Sequence, residues 1–112
     1  MNLNTVLLGG RLTHDPEITM VGNNKKKARF SVAINFGQGE AKKTDYIDCE
    51  AWESQAARLE KASKGNTVIV TGRIEKQTWD DRETGAKRSK QIVKAVQVDV
   101  LQAQETPEAN PF

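Results

Sequence analysis

The sequence predicts an all-β domain with one helix, and three observations carry the prediction. Several stretches place apolar residues at every second position, the signature of half-buried strands. One stretch alone, Ser54–Lys64, lacks β-branched residues and is built from good helix formers. Gly, Pro and Asn clusters punctuate the chain between these stretches.

Taken in order, the first strand is expected over Asn4–Leu12, where Val6 and Leu8 alternate and Gly9-Gly10 marks a bulge or tight bend. Asp15-Pro16 reads as a turn, and Asn23-Asn24 followed by Lys25, Lys26 and Lys27 reads as a loop. Ala28–Asn35 alternates cleanly, with Ala28, Phe30, Val32 and Ile34 on one face. A second loop runs from Gly37 to Thr44, and a third strand over Tyr46–Trp52 turns Ile47, Cys49 and Ala51 inward. In Ser54–Lys64, Ala56, Leu59 and Ala62 form a narrow apolar stripe. Ser54 can cap the helix start and Gly65 sits where a helix stops. The fourth strand, Thr67–Trp79, puts Val68, Val70 and Ile74 on one parity, and Gly72 allows it to bend. Asp80–Lys87 is a polar hairpin tip. Ser89–Leu101 is the last strand, carrying Ile92, Val96, Val98 and Val100. Residues 1–101 thus form one domain, and residues 102–112 have the composition of a short disordered tail. Five strands with a helix between the third and fourth is the element order of an OB-fold, a small Greek-key barrel.

Composition removes several function classes. The chain of 112 residues is 37% hydrophobic, and no run approaches the roughly 18 apolar residues of a membrane-spanning helix. A single cysteine, Cys49, excludes an internal disulfide framework, and with one histidine, His14, no His/Cys zinc site can be assembled. The N-terminus lacks the basic and apolar regions of a secretory signal, so a cytoplasmic protein is expected. No phosphate-loop, nucleophile-elbow or zinc-helix pattern is present, and nothing near His14-Asp15 in sequence supplies a nucleophile. Neither an enzyme nor a cofactor or metal site is expected. Cys49 lies on the buried parity of its strand and reads as a small core residue.

The strand faces point to a ligand. With Ile47, Cys49 and Ala51 inward, Tyr46, Asp48, Glu50 and Trp52 point outward. The fourth strand likewise turns Arg73, Glu75, Gln77 and Trp79 outward, beside a hairpin carrying Arg82, Lys87, Arg88 and Lys90. The chain has two Trp, one Tyr and three Phe. Exposing three of these rings forgoes burial of about 150–250 Å² each. Stacking on nucleobases would explain that, contributing about 1–3 kcal/mol per base without reading sequence. An outward aromatic can equally cover a loop or fill a subunit interface, but three basic loops accompany these rings. Candidate phosphate contacts are Lys25, Lys26, Lys27, Arg29, Lys42, Lys43, Arg73, Lys87 and Arg88. The formal charge is +2, and the tail holds Glu105 and Glu108 but no cation, so residues 1–101 carry +4. Asp48 and Glu50 share the outward parity, where they would repel phosphate unless paired with Arg73 or turned to a subunit interface. Phe36 is a further stacking candidate, while Phe30 falls on the core parity.

The segments NTVLLGGRLTHDPE (4–17), FSVAIN (30–35), YIDCEAW (46–52) and KGNTVIVTGR (64–73) resemble, in order and spacing, bacterial single-stranded DNA-binding proteins. The resemblance spans roughly residues 3–101. It implies an OB-fold that coats single-stranded DNA in replication, recombination and repair, usually as a homotetramer in the cytoplasm at the nucleoid. It implies base stacking on Tyr46, Trp52 and Trp79, with Phe36 near a further aromatic position of the family. It also implies that the C-terminal end, Pro111-Phe112, docks replication and repair proteins, although Ala109 and Asn110 stand where the family carries acids. Two rival readings share the architecture: a replisome adaptor whose rings bind protein, and an RNA binder.

Overall fold

The structure, a computed structural model, describes residues 1–101; the expectations for the tail, Pro111 and Phe112 included, lie outside the described residues. Six strands run through it. They are β1 (Val6–Leu12), β2 (Glu17–Val21), β3 (Lys25–Phe36), β4 (Lys43–Trp52), β5 (Thr67–Asp80) and β6 (Lys87–Leu101), with helix α1 (Glu53–Arg58) between β4 and β5. The sheet order is β1-β5-β6-β4-β3-β2, and an added β1–β3 pairing closes it on itself.

The closed ring contains five strands, as the OB-fold expectation requires. β2 is the surplus strand, and it is a continuation of β1. β1 meets β3 at Arg11↔Ala33 and Leu12↔Val32. β2 meets the earlier part of β3, from Glu17↔Arg29 to Val21↔Lys25. Between them Thr13 N–H still donates to the Ser31 carbonyl at 3.0 Å. The two are halves of one edge interrupted at Asp15-Pro16, where proline supplies no ladder donor. The expected Lys25–Lys27 loop is therefore strand, and the turn is confined to Gly22–Asn24.

Closure depends on two glycines. A Cβ on Gly10 would lie 2.3 Å from the Ala33 carbonyl oxygen, where β1 leaves β5 for β3. A Cβ on Gly72 would lie 2.2 Å from the Lys94 oxygen. At Gly72 the β5–β6 register slips: Thr71 pairs with Gln97 but Gly72 pairs with Ala95. Val96 is the extra residue of this bulge and is exposed. The slip turns Val96 out of the β6 row, and of the expected inward positions of β5 only Ile74 is exposed. Ile92 and Val98 are buried, joined by Ala95 and Val93, and Ile74 stands exposed beyond the bend opposite Val93.

The core joins Leu12, Phe30 and Val32 of one wall to Val68, Val70 and Val98 of the other, closed by Ala56 and Leu59 at the helix. The helix is shorter than the expected Ser54–Lys64. Trp52, not Ser54, occupies the N-cap, without a side-chain cap. The chain leaves the helix at Leu59 because β1 and its turn capture the segment 64–66. Gly65 N–H donates to Leu12 O, Leu12 N–H to Asn66 O, and Lys64 N–H to the Asp15 carboxylate. Ala56, Leu59 and Ala62 still pack inward as the stripe implied. Among the described residues no helix is long and apolar enough to cross a membrane.

Candidate nucleic-acid interface

One face of β4 carries Tyr46, Asp48, Glu50 and Trp52, and the β3 register sets Ala33, Ser31, Arg29 and Lys27 opposite them in turn. Residues opposite each other in an antiparallel pair share a face, so Arg29 and Lys27 stand beside the ring-bearing row. The β5–β6 hairpin supplies the other wall. Its register pairs Gln77 with Lys90 and Trp79 with Arg88. Beyond the β4–β6 ladder, two side-chain contacts tie the hairpin to β4: Lys90 Nζ lies 2.7 Å from Asp48 Oδ2, and Gln77 Nε2 donates to Glu50 Oε2 at 2.8 Å. Between β3–β4 and the hairpin runs an open cleft of about 560 Å³, lined by Arg29, Ser31, Asp48, Glu50, Gln77 and Lys90, with His14 and Asp15 at its rim.

The three rings differ in their surroundings. Tyr46 is 68% exposed and Trp79 47% exposed. Trp52 is half-buried, with the Lys27 ammonium 5.4 Å from its ring centroid and its Nε1–H donating to Glu50 Oε1 at 3.4 Å. Phe36 is also exposed, but it pairs with Lys43, on the parity that continues the core-facing row of Phe30, Val32 and Ile34. It therefore leaves the ladder on the opposite side from Tyr46, at the far end of β3.

Glu50 is the unexpected residue. It belongs to the outward row, yet it is only 7% exposed. Its partners are Lys27 at 3.2 Å, Gln77 and Trp52, not Arg73. Burial pushes its carboxyl up. The hydrogen bonds from Gln77 and Lys27, the Lys27 charge and the Trp52 N–H outweigh that, and hold it below the usual carboxylate range. Arg73 pairs instead with Glu75 on its own strand at 2.8 Å. Of the other candidate phosphate ligands, Lys26 is paired with Glu60, Lys87 with Asp80 and Arg88 with Asp81. Lys25, Arg29, Lys42 and Lys43 make no ion pair among the described residues. Asp81 organises the hairpin tip. The N–H groups of Glu83 and Thr84, then Arg88, hold its carboxyl below the usual range.

Two cleft residues escaped sequence reasoning as ligands, Lys90 and Gln77. Their signal was the hairpin register, which makes them cross-strand partners. Cys49 is buried as expected. Burial and then the neighbouring Asp48 charge push its thiol up to about 12, so it is inert where a reactive thiol would be ionised. Among the described residues no cluster of His, Cys, Asp and Glu could hold a metal ion.

A barrel with rings and cations on one face has known counterparts. The pattern of the family described as single-strand binding protein matches residues 3–101. The chain is 36% identical over 97 residues to a single-stranded DNA-binding protein of Borreliella burgdorferi, covering 80% of this chain and 63% of that one. It is 33% identical over 104 residues to one from Deinococcus radiodurans, covering 88% of this chain and 34% of that one. It is 30% identical over 102 residues to single-stranded DNA-binding protein 1 of a Nostoc species, covering 90% of this chain and 85% of that one. The chain thus spans about a third to under two thirds of the first two relatives. From the closed five-strand ring to the matched residues 3–101, these observations agree: the chain belongs to the single-strand binding protein family.

Proposed function

We propose that this protein is a non-enzymatic binder of single-stranded DNA that coats the open strand with little sequence preference in replication, recombination and repair. The observation that carries the reading is the outward row of β4 facing the hairpin. Tyr46 and Trp79 are left exposed to bases and Trp52 is half-buried in the same row, and among the described residues Lys25, Arg29, Lys42 and Lys43 are free of carboxylate partners and open to phosphate. Binding needs no energy source, because occupancy of the open strand draws the duplex equilibrium by mass action. The site of action is the cytoplasm at the nucleoid. The working form is a homo-oligomer, by family resemblance a tetramer. Exposed Leu7 and Ile69 on neighbouring β1 and β5 support self-association, since apolar side chains of this size gain by being covered. Pro111-Phe112 serves as the docking end for replication and repair proteins, a reading that rests on the family resemblance of that end.

Titration with oligo-dT at two salt concentrations tests the central reading. Tryptophan fluorescence is expected to be quenched on binding. Affinity is expected to fall with salt, with a log–log slope of about −0.7 per phosphate contacted. Unchanged fluorescence at saturating oligo-dT and low salt would refute stacking. A matched RNA that outcompetes the DNA would move the assignment to RNA, since a site that uses the 2′-hydroxyl prefers it.

A further inference from the structure

Lys27 has the location of a phosphate ligand and the contacts of a structural residue. It stands directly across from Trp52 in the β3–β4 ladder. Its ammonium reaches over the indole to Glu50, the carboxylate diagonal to it. The side chains of this pair are 24% and 9% exposed, and Glu50 accepts two further hydrogen bonds, from Gln77 and Trp52. The other ion pairs around the cleft are built differently. Lys87–Asp80 and Lys90–Asp48 involve side chains that water reaches freely. Exposed pairs are worth roughly 0–1 kcal/mol, so a phosphate oxygen can replace the carboxylate in them at little cost. Drawing Lys27 away would leave Glu50 buried and ionised without its cation, which is strongly unfavourable.

We infer that Glu50 is a positioning residue that keeps Lys27 on the Trp52 ring and withholds it from the DNA backbone, so that the middle of β4 is crossed by bases and not by phosphates. The inference deepens the single-stranded DNA reading and rests on it. With Lys27 over one face of the ring, a stacked base would take the opposite face of the indole. The cation contributes through the ring, where its attraction to the π-face holds the indole at a fixed angle. Arg29, opposite Glu50 in the same ladder, is the nearest β3 cation left to meet a phosphate.

The test is the salt dependence of binding to a labelled oligo-dT, followed by anisotropy so that changes in tryptophan emission do not enter. The proteins are wild type, Lys27→Met, Glu50→Gln and the double variant. Met keeps the apolar stem of Lys27, and Gln keeps one acceptor oxygen, which can serve Gln77 or the Trp52 N–H. Lys27→Met is expected to share the wild-type log–log slope. Glu50→Gln frees the ammonium and is expected to steepen the slope by about 0.7, one phosphate, which is about a 2.6-fold greater loss of affinity between 50 and 200 mM salt. The double variant is expected to return to the wild-type slope. A purely structural role for the pair would lower stability and affinity without moving the slope. A Lys27→Met slope shallower by about 0.7 overturns the inference whatever Glu50→Gln does, as does a Glu50→Gln slope equal to wild type in a folded protein. Wild-type protein that fails to bind oligo-dT at all sinks the functional reading itself, a result separate from either of these.

Discussion

Trp52 and Trp79 have the same side chain and the same outward parity, and the molecule treats them in opposite ways. Trp52 ends β4 beside the helix. It is half-buried, covered by Lys27 and hydrogen-bonded to Glu50. Trp79 lies one residue from the end of β5, exposed, next to the ion pairs Lys87–Asp80 and Arg88–Asp81 that clothe the hairpin tip. The first ring is fixed before any ligand arrives, and the second is free to adjust. A site built this way spends little entropy at its centre and keeps adaptability at its edge, which suits a ligand of variable sequence.

The hairpin can adapt only if its root is rigid, and the root is Gly72. Replacement by Val would drive a Cβ against the Lys94 carbonyl, where 2.2 Å separates the two positions. Backbone must then move at the bulge. We expect a loss of about 3 kcal/mol, the upper part of the range for overpacking, read as a lower denaturant midpoint. DNA affinity should fall with it, because Gln77 and Lys90 would no longer meet Glu50 and Asp48. A hairpin variant of unaltered stability would show that the two walls are not coupled through this bend.

The rings give the next effect. Trp79→Ala and Trp52→Ala should each weaken oligo-dT binding by about 1–3 kcal/mol, the usual contribution of one stacked base. Thermal melting should separate them. Trp52→Ala removes a hydrogen-bond donor to a buried carboxylate and the surface Lys27 lies on, so its midpoint should drop. Trp79→Ala should melt with wild type. Equal melting of the two variants would remove the distinction drawn between the rings.

Much of this was legible in the sequence, and the physics says where legibility stopped. Period-two alternation located the ring-bearing row of β4 and the core positions Phe30, Val32, Cys49 and Val70, because a residue's face depends on local parity alone. Parity fails at a bulge: Val96, the extra residue opposite Gly72, shifts the buried row of β6 from Val98 to Ala95 and Val93, whereas β5 carries no extra residue and Ile74 keeps its parity opposite buried Val93 although it stands 43% exposed. β2 was missed because Asp15-Pro16 reads as a turn, whereas here it only breaks one long edge. The helix end was set by capture of Gly65 and Asn66 by Leu12, a contact between segments that helix propensity cannot anticipate. The same limit explains Glu50. Its outward parity was correct, but its burial depends on Gln77, which lies 27 residues along the chain.

The smallest effect separates the two regions by acid. Each holds one carboxylate below its usual range: Glu50 in the cleft and Asp81 at the hairpin tip. For both, the folded state favours the ionised form, so their contribution is fully present above the ordinary carboxylate range, near pH 4–5, and is lost as pH falls through the lower folded value. The structural consequence differs. Protonating Glu50 removes the charge that Lys27 is paired with and turns one of the two accepting oxygens into a donor, against Gln77 or the Trp52 N–H inside the packed wall. Protonating Asp81 loosens a turn whose N–H groups at Glu83 and Thr84 can turn to water. Glu50→Gln should therefore flatten the acid side of the global stability profile, while Asp81→Asn should leave that profile in place and instead speed amide exchange at Glu83 and Thr84. Were Asp81→Asn to flatten the global profile as much as Glu50→Gln, the hairpin tip would belong to the same cooperative unit as the barrel, and the contrast between a fixed Trp52 and an adjustable Trp79 would fall with it.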